Sequence, residues 1–273
     1  MRRGRDGTGP LRDHRASIAS FAVTFLFALV LLAPAVAKAA CSEVVAGARL
    51  WRAAAEESAV AISFLGHASF LIESPGGVRI VTDYNDMIRA PVTPDIVTMN
   101  NAHPSHYSED VEPGVKFVLR GWDPAGGVAA HRIEYRDVKV HNVPTNLREA
   151  DGGTRYNGNS IFVFETAGLC IAHLGHLHHT LTETHLAELG AIDVVMVPVD
   201  GALTLNQEDM IAVLQQIKPK IAIPMHMFSD ARLDRFLARA GERYQIRRMA
   251  EPKILLSRAD LPSEPEILVL PGR

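Results

Sequence analysis

Two neighbouring stretches of the sequence indicate the first layer of the fold. Residues 62–71 read Ile-Ser-Phe-Leu-Gly-His-Ala-Ser-Phe-Leu, and residues 78–83 read Val-Arg-Ile-Val-Thr-Asp. Apolar residues dominate both stretches and in part alternate with small or polar ones, which is typical of strands that place one face in a core. Gly66 and His67 interrupt the first stretch, and we expect His67 to cap a hairpin there. The sequence therefore predicts an antiparallel hairpin with a third strand close behind it.

Short apolar runs of the same kind continue to the end of the chain. About twelve of them are separated by turn residues and are predicted to be strands. They cover residues 60–65, 69–73, 78–82, 95–99, 115–119, 138–143, 160–166, 169–174, 194–199, 220–224, 253–257 and 266–270.

Helical patterns are fewer and fall mainly in the second half of the chain. Residues 182–189 open on Thr182 and residues 206–217 open on Asn206, and both residue types favour the N-cap position. A third helix is predicted over residues 230–240, where three apolar side chains share one face. Hairpins early in the chain and helices between later strands imply an α/β fold with two packed sheets flanked by helices.

Several motifs then follow one another in a defined order. The hairpin is followed by Asn101-Ala-His-Pro-Ser-His106, by Ala172-His-Leu-Gly-His176, by Val197-Pro-Val-Asp-Gly201 and by Ile223-Pro-Met-His226. As an ordered set over residues 60–228, these segments resemble the metallo-β-lactamase superfamily, in particular its metal-dependent hydrolases of the L-ascorbate-6-phosphate lactonase type. The resemblance implies the αββα fold and hydrolysis at a metal centre.

The resemblance also implies where metal ligands should lie. In the superfamily's His-x-His-x-Asp-His loop, the first two histidines bind one zinc ion, and the aspartate and last histidine bind a second. Here Asn101 and Ser105 replace the first histidine and the aspartate, and His176 replaces a bridging aspartate. These losses remove the negative charge that two dications need, whereas imidazoles suit one zinc ion. We therefore expect one zinc ion held by His103, His106, His176 and His226, or by three of these and water.

Two further residues are candidates for catalysis. Asp83 ends the third predicted strand and is expected to hold the metal loop, with a direct catalytic role as the alternative. His179 lies in a segment that resembles the branch's Leu-Gly-Asp-Leu-Gly-His-x-Leu-Thr loop, which directs this histidine to the pocket. We expect His179 to donate a proton, although a structural role stays open, and we expect His178 and His185 to be solvated. Because Ser105 cannot serve as a carboxylate base, turnover should be slow.

Composition limits the possible partners. The 273 residues include 28 Lys and Arg against 31 Asp and Glu, for a formal charge of -3. Six of the basic residues fall within the first 39 positions, so that the rest of the chain is more acidic. Nucleic acids and anionic membranes require clustered positive charge, and the expected partner is a small-molecule substrate. The oligomeric state stays open.

The N-terminus has the pattern of an export signal. Five arginines between positions 2 and 15 precede the apolar residues 19–33, and Ala37 and Ala39 are small residues suited to a cleavage site. A membrane anchor is the alternative, but it needs roughly 20 apolar residues. We expect a signal peptide over 1–39 and a periplasmic or secreted domain over 40–273, without membrane insertion. Cys170 is expected to be a small buried strand residue, and its pairing with Cys41 stays open.

Other functions stay open alongside a hydrolase. The loss of several family ligands favours a metal-free protein that binds a ligand or acts as a scaffold, because a fold can persist without its chemistry. The histidine-rich tract over residues 173–185 would also suit a protein that captures metal ions.

Overall fold

The apolar runs form two β-sheets in the computed structural model, which describes residues 59–272. The strands are β1 (Val60–Gly66), β2 (Ser69–Glu73), β3 (Arg79–Val81), β4 (Ile96–Met99), β5 (Phe117–Arg120), β6 (Arg132–Tyr135), β7 (Val138–Arg148), β8 (Thr154–Thr166), β9 (Leu169–His173), β10 (Val194–Pro198), β11 (Ile221–Met225), β12 (Gln245–Arg248), β13 (Lys253–Leu256) and β14 (Glu266–Val269). The helices are α1 (Glu183–Leu189), α2 (Gln207–Ile217) and α3 (Asp230–Ala240), with a short 3-10 helix at Arg258–Asp260. The predicted signal peptide and Cys41 lie outside the described residues.

The two sheets differ in size and in strand direction. The first has the order β13-β1-β2-β3-β4-β5, and the second has the order β12-β14-β11-β10-β9-β8-β7-β6. Strands β1, β2 and β3 pair antiparallel, as predicted for the opening hairpin and the strand after it. Strands β9, β10 and β11 run parallel, so that their carboxyl ends meet at one edge of the second sheet.

Alternation along β10 shows how the layers pack. Val194 and Met196 belong to a core shared with apolar residues of the first sheet, whereas Val195 and Val197 pack with the apolar faces of α2 and α3. Successive strand residues face opposite sides, so the second sheet lies between the first sheet and the helices. The predicted sandwich is confirmed. Within residues 59–272, loops rather than helices pack on the outer face of the first sheet.

Two strands were missed by the sequence analysis. Strands β6 and β12 lie at the two edges of the second sheet. All residues of β12 are exposed, and β6 alternates exposed and half-buried residues. An edge strand that buries little side-chain area has no apolar run to reveal it.

The predicted helix starts are confirmed in detail. Oγ1 of Thr182 accepts from the amide of His185, and Oδ1 of Asn206 accepts from the amide of Asp209. The ring of His185 also accepts at Nδ1 from the Thr182 amide, at 3.2 Å. His185 is partly exposed, and its ring also completes the cap of α1.

Two observations bear on export without deciding it. Over residues 59–272, no helix combines the length and apolarity that crossing a bilayer requires. Cys170 is buried in β9, as expected, and it is disulfide-bonded. Its partner lies outside the described residues.

Buried polar side chains join the two sheets beside the carboxyl end of β9. Asn100, after β4, donates from Nδ2 to the carbonyl of Ser160 in β8 at 2.8 Å. Its Nδ2 also lies 3.2 Å from Nδ1 of His173, whose Nε2 lies 2.7 Å from the carbonyl oxygen of Ala68. His173 therefore accepts at Nδ1 and donates from Nε2, and it links β9 to the turn between β1 and β2.

The backbone at Gly175 allows this contact. Gly175 has φ +59°, and a Cβ there would overlap the side chain of Asn100. Gly152 also has positive φ, +86°, but a Cβ would meet nothing within 4 Å. Substitutions at these two glycines therefore distinguish the cost of backbone strain from the cost of steric overlap.

We expect Gly175→Ala to destabilise the protein by more than about 2 kcal/mol, because strain at positive φ adds to overpacking against Asn100. Gly152→Ala, the matched control, should cost about 1 kcal/mol from strain alone. Urea unfolding of both variants measures the difference. Equal losses in the two variants would contradict a packing role for Gly175.

Candidate metal centre

Turns from both sheets meet at one place. His67 lies in the turn between β1 and β2, and His226 directly follows β11. The amide of His226 donates to the carbonyl of His67 at 2.7 Å. Both residues have positive φ, 50° for His67 and 57° for His226. Such strain in non-glycine residues persists where surrounding contacts impose it, and it clusters at functional sites.

Three histidines form a group suited to a metal ion. One ring nitrogen from each of His67, His106 and His226 lies within 4.8 Å of the other two. Ring centroids are 4.2 Å apart for His67 and His226, and 5.3 Å apart for His106 and His226. His106 and His226 are buried, whereas His67 is partly exposed to the pocket.

A buried carboxylate orients His106. Oδ2 of Asp83 lies 2.6 Å from Nδ1 of His106, and Oδ1 of Asp83 accepts from the Asn100 amide at 3.1 Å. Nε2 of His106 is buried and has no hydrogen-bond partner within residues 59–272. Asp83 thus anchors the loop that carries His106, and it leaves one imidazole nitrogen free for an ion. Its predicted roles, in holding a metal loop or in catalysis, stay predictions.

A second carboxylate does the same for His226. Oδ1 of Asp200 lies 3.1 Å from Nδ1 of His226. The carboxylate also accepts from the amides of Ala202 and Leu203 and from the Thr204 hydroxyl. Although burial alone would raise it, these hydrogen bonds hold the pKa of Asp200 below its ordinary value.

Burial keeps His67 and His106 neutral. Burial and the neighbouring rings of His226 and His106 lower the pKa of His67 to about 3. The same causes hold the pKa of His106 well below its ordinary value, and burial raises the pKa of Asp83 to about 7. Neutral imidazole is the form that binds metal, so these rings offer lone pairs at neutral pH.

His103 lies apart from the group although it belongs to the same loop. It is exposed, its Nδ1 lies 2.7 Å from Oγ of Ser105, and its ring centroid is 6.0 Å from that of His106. The predicted set of His103, His106, His176 and His226 stays a prediction. The structure groups two of its members with His67, for which sequence analysis expected only a hairpin cap.

His176 lies beside the group but interacts with His178. Its ring centroid is 5.0 Å from those of His106 and His226, and its amide donates to Oδ1 of Asn159. Nδ1 of His176 lies 2.7 Å from Nε2 of His178. The backbone amide of Arg148 donates to Nδ1 of His178 at 2.7 Å. The expectation that His178 is solvated was therefore wrong.

His179 has both ring nitrogens occupied by backbone groups. Nδ1 lies 2.8 Å from the carbonyl oxygen of Thr180, and Nε2 accepts from the amide of Asn146 at 3.1 Å. The ring is absent from the lining of the pocket beside the histidine group. This geometry matches the structural alternative, and the predicted proton donation by His179 gains no support.

A pocket of about 930 Å³ opens on the histidines. Its mouth carries the exposed apolar side chains of Met87, Leu203 and Phe228. Arg148 lines one wall, and Glu149, the acidic residue of the lining, is paired with Arg155. The pocket therefore offers apolar contacts, a cation and the imidazoles of His67 and His226 to one small molecule.

The His178 ring gives a pH-dependent stability. Burial and the nearby Arg148 cation lower the pKa of His178 to about 4. Between about pH 4 and the ordinary value of 6.5, the unfolded chain binds more protons, so stability falls as pH falls through this window.

We expect His178→Gln to reduce that loss by about 1 to 2 kcal/mol, once solvent screening of this partly exposed ring is allowed for. Urea unfolding of the metal-free protein from pH 4 to 7.5 measures it, with the exposed His103→Gln as control. The same slope in wild type and His178→Gln would refute the assignment.

Comparisons with known proteins agree with this geometry. The family described as beta-lactamase superfamily domain matches residues 61–226. A UPF0173 metal-dependent hydrolase of Carboxydothermus hydrogenoformans is 27% identical over 189 residues, which are 60% of this chain and 83% of that protein. Its counterpart from Thermococcus onnurineus is 28% identical over 191 residues, covering 61% and 84%.

Solved structures give the same fold. A protein of Thermotoga maritima, assigned as a Zn-dependent hydrolase of the metallo-β-lactamase superfamily, aligns with a TM-score of 0.57 and 30% identity. The alignment covers 78% of this chain and all of that one. A metallo hydrolase from Ignicoccus hospitalis aligns with a TM-score of 0.53 and 17% identity over 79% and 97% of the two chains. The more specific resemblance to L-ascorbate-6-phosphate lactonase stays a prediction. Because the family match covers most of the described residues and a histidine group lies at the strand ends, the chain belongs to the metallo-β-lactamase superfamily.

Proposed function

We propose that the protein is a metal-dependent hydrolase that uses one zinc ion held by His67, His106 and His226. The observation that carries this proposal is the pair of buried Nε2 atoms of His67 and His106 beside His226, neither of which has a hydrogen-bond partner among residues 59–272. A buried polar atom without a partner is costly, and an ion at this place would satisfy both. The relatives described as metal-dependent hydrolases support the same chemistry.

The donor set fits zinc. Three neutral imidazoles with an open fourth position are a common catalytic arrangement for this ion. Asp83 and Asp200 each face Nδ1 of a grouped histidine, which fixes the ring and leaves Nε2 for the ion. Asp200 supplies one negative charge and Asp83 a second when it is deprotonated, and that balance favours one dication over two.

When bound, zinc would polarise a carbonyl oxygen and acidify a water molecule. The chain's own residues would position the substrate. Met87, Leu203 and Phe228 suit an apolar group, and Arg148 suits a negatively charged one. We therefore propose a substrate that combines an ester, lactone or amide bond with an apolar group.

Few side chains of the site are available to transfer a proton. Ser105 occupies the family's aspartate position, and Asp83 and Asp200 are both engaged by histidines. Glu149 is held by Arg155, with Oε1 and Nε 2.6 Å apart. Turnover below that of relatives with a complete loop follows from this shortage of a free base.

We also propose that the protein acts in the periplasm or outside the cell. The apolar N-terminal segment with its arginines supports export. The disulfide at Cys170 supports an oxidising compartment, since cytosolic thiols are kept reduced. Detection of the protein in the periplasmic fraction, cleaved near Ala39, is the test.

The metal assignment predicts one zinc ion per chain and zinc-dependent hydrolysis of p-nitrophenyl acetate. We expect His226→Gln and His67→Gln each to weaken zinc binding by at least about 100-fold, because each removes a ligand. Elemental analysis and competition with a chelating dye measure stoichiometry and affinity. His103→Gln is the matched control from the same pocket wall and should bind zinc within about threefold of wild type.

Two results would count against the proposal. Two tightly bound zinc ions per chain would reject the one-ion site. A folded protein that binds no zinc, or that hydrolyses neither esters, lactones nor amides when loaded, would favour the ligand-binding alternative.

A further inference from the structure

The contact between His176 and His178 determines which nitrogen of each ring carries the proton. The backbone N–H of Arg148 is solely a donor, so Nδ1 of His178, 2.7 Å away, is an unprotonated acceptor. An imidazole with one unprotonated nitrogen is neutral. A neutral His178 with unprotonated Nδ1 carries its proton on Nε2.

The same argument extends to His176. Nε2–H of His178 faces Nδ1 of His176 at 2.7 Å, so Nδ1 of His176 accepts. A ring whose Nδ1 accepts a hydrogen bond is neutral, so His176 carries a single proton. Its single proton therefore lies on Nε2. Three groups in series, the Arg148 amide, His178 and His176, thus point their donors in one direction.

This proton position is incompatible with a metal bond from Nε2. Ligation would need a lone pair there, and the proton would have to move to Nδ1. Two N–H groups, Nε2–H of His178 and Nδ1–H of His176, would then face each other at hydrogen-bond distance. His106 and His226 differ from His176 in this respect, because they face carboxylates, which accept from Nδ1 and leave the Nε2 lone pair available.

The remaining donor faces the pocket. His176 lines the pocket beside His67 and His226, and within residues 59–272 its Nε2 has no hydrogen-bond partner. Arg148 lines the same pocket and donates from Nη2 to the carbonyl of Ala202 at 3.3 Å. No carboxylate among the described residues forms an ion pair with it. A neutral N–H beside a metal site is suited to an oxygen that gains negative charge.

We infer that His176 is a hydrogen-bond donor to a carbonyl or carboxylate oxygen of the substrate and not a ligand of the metal, with His178 as the positioning residue that fixes its tautomer. This inference rests on the proposed function for the presence of a metal ion and a carbonyl substrate. The ligand class follows from the donor: an ester, lactone or amide oxygen, or a carboxylate product.

Nuclear magnetic resonance of the metal-free protein labelled with ¹⁵N-histidine tests the tautomer directly. Long-range ¹H–¹⁵N correlations should show Nε2 protonated and Nδ1 unprotonated in His176, with the signals assigned from a His176→Ala variant. His178→Gln should keep this pattern, because its amide accepts from Arg148 and donates to His176. His178→Glu should reverse it, because a carboxylate accepts from Nδ1–H of His176.

Zinc affinity gives an independent measure. His176→Gln should bind zinc within about threefold of wild type, as should the distant control His141→Gln, whereas His226→Gln should lose at least about 100-fold. His178→Glu should bind zinc about tenfold more tightly, since it frees the Nε2 lone pair of His176. Zinc alone is the probe.

Hydrolysis of p-nitrophenyl acetate by the zinc-loaded protein measures the donor's contribution. His176→Ala should lower kcat about 100-fold with a smaller change in KM, and His176→Gln should recover part of the loss because its amide donates. The inference would be overturned if Nδ1 of wild-type His176 is protonated. It would also be overturned if His176→Gln loses as much zinc affinity as His226→Gln. Neither result would contradict the proposed hydrolase function. If the wild-type protein shows no zinc-dependent hydrolysis, the proposed function fails. The measured tautomer of His176 still shows whether this residue is a hydrogen-bond donor.

Discussion

The hydrogen bond between buried Asp83 and Nδ1 of His106 is the contact on which the site depends. A carboxyl group with no exposure to water is expensive to bury unless it is hydrogen-bonded. Asp83 meets that need with the His106 ring and the Asn100 amide, and it adopts φ 44° to do so. The strained backbone after β3, the loop that carries His106 and the polar contact between the sheets are thus fixed together.

The two carboxylate–histidine pairs respond oppositely to similar burial. Asp200 accepts from His226, from Thr204 and from consecutive backbone amides, and these donors lower its pKa. Asp83 accepts from fewer donors, so burial prevails and raises its pKa to about 7. The number of donors around each carboxylate decides which effect wins. Asp200 is therefore negatively charged at neutral pH, whereas Asp83, paired with His106, gains or loses its proton near neutral pH.

Much of the architecture could be predicted because apolar runs and caps are local. The strand runs, the caps at Thr182 and Asn206 and the order of motifs all follow from short stretches of sequence. The site was harder, because ligand geometry depends on the angle at which each turn leaves its strand. His67 shares a turn with glycine and alanine, and no sequence signal shows that its φ of 50° directs the ring toward His226. His178 likewise gains its partners through Arg148 in β7, thirty positions earlier.

The exchange of aspartate for histidine at position 176 changes more than the number of ligands. A carboxylate there would add a further negative charge to the site, and that charge would favour a second dication. A neutral imidazole adds none, and the Arg148 amide and His178 present it as a donor. In the proposed site, this one residue would shift the charge balance toward a single ion and would also add an N–H group to the pocket wall. An oxyanion is stabilised by hydrogen-bond donors, whereas a second metal ion is bound by acceptors. The side chain at position 176 therefore cannot do both. The hydrogen bonds that run from the Arg148 amide through His178 to His176 make it a donor.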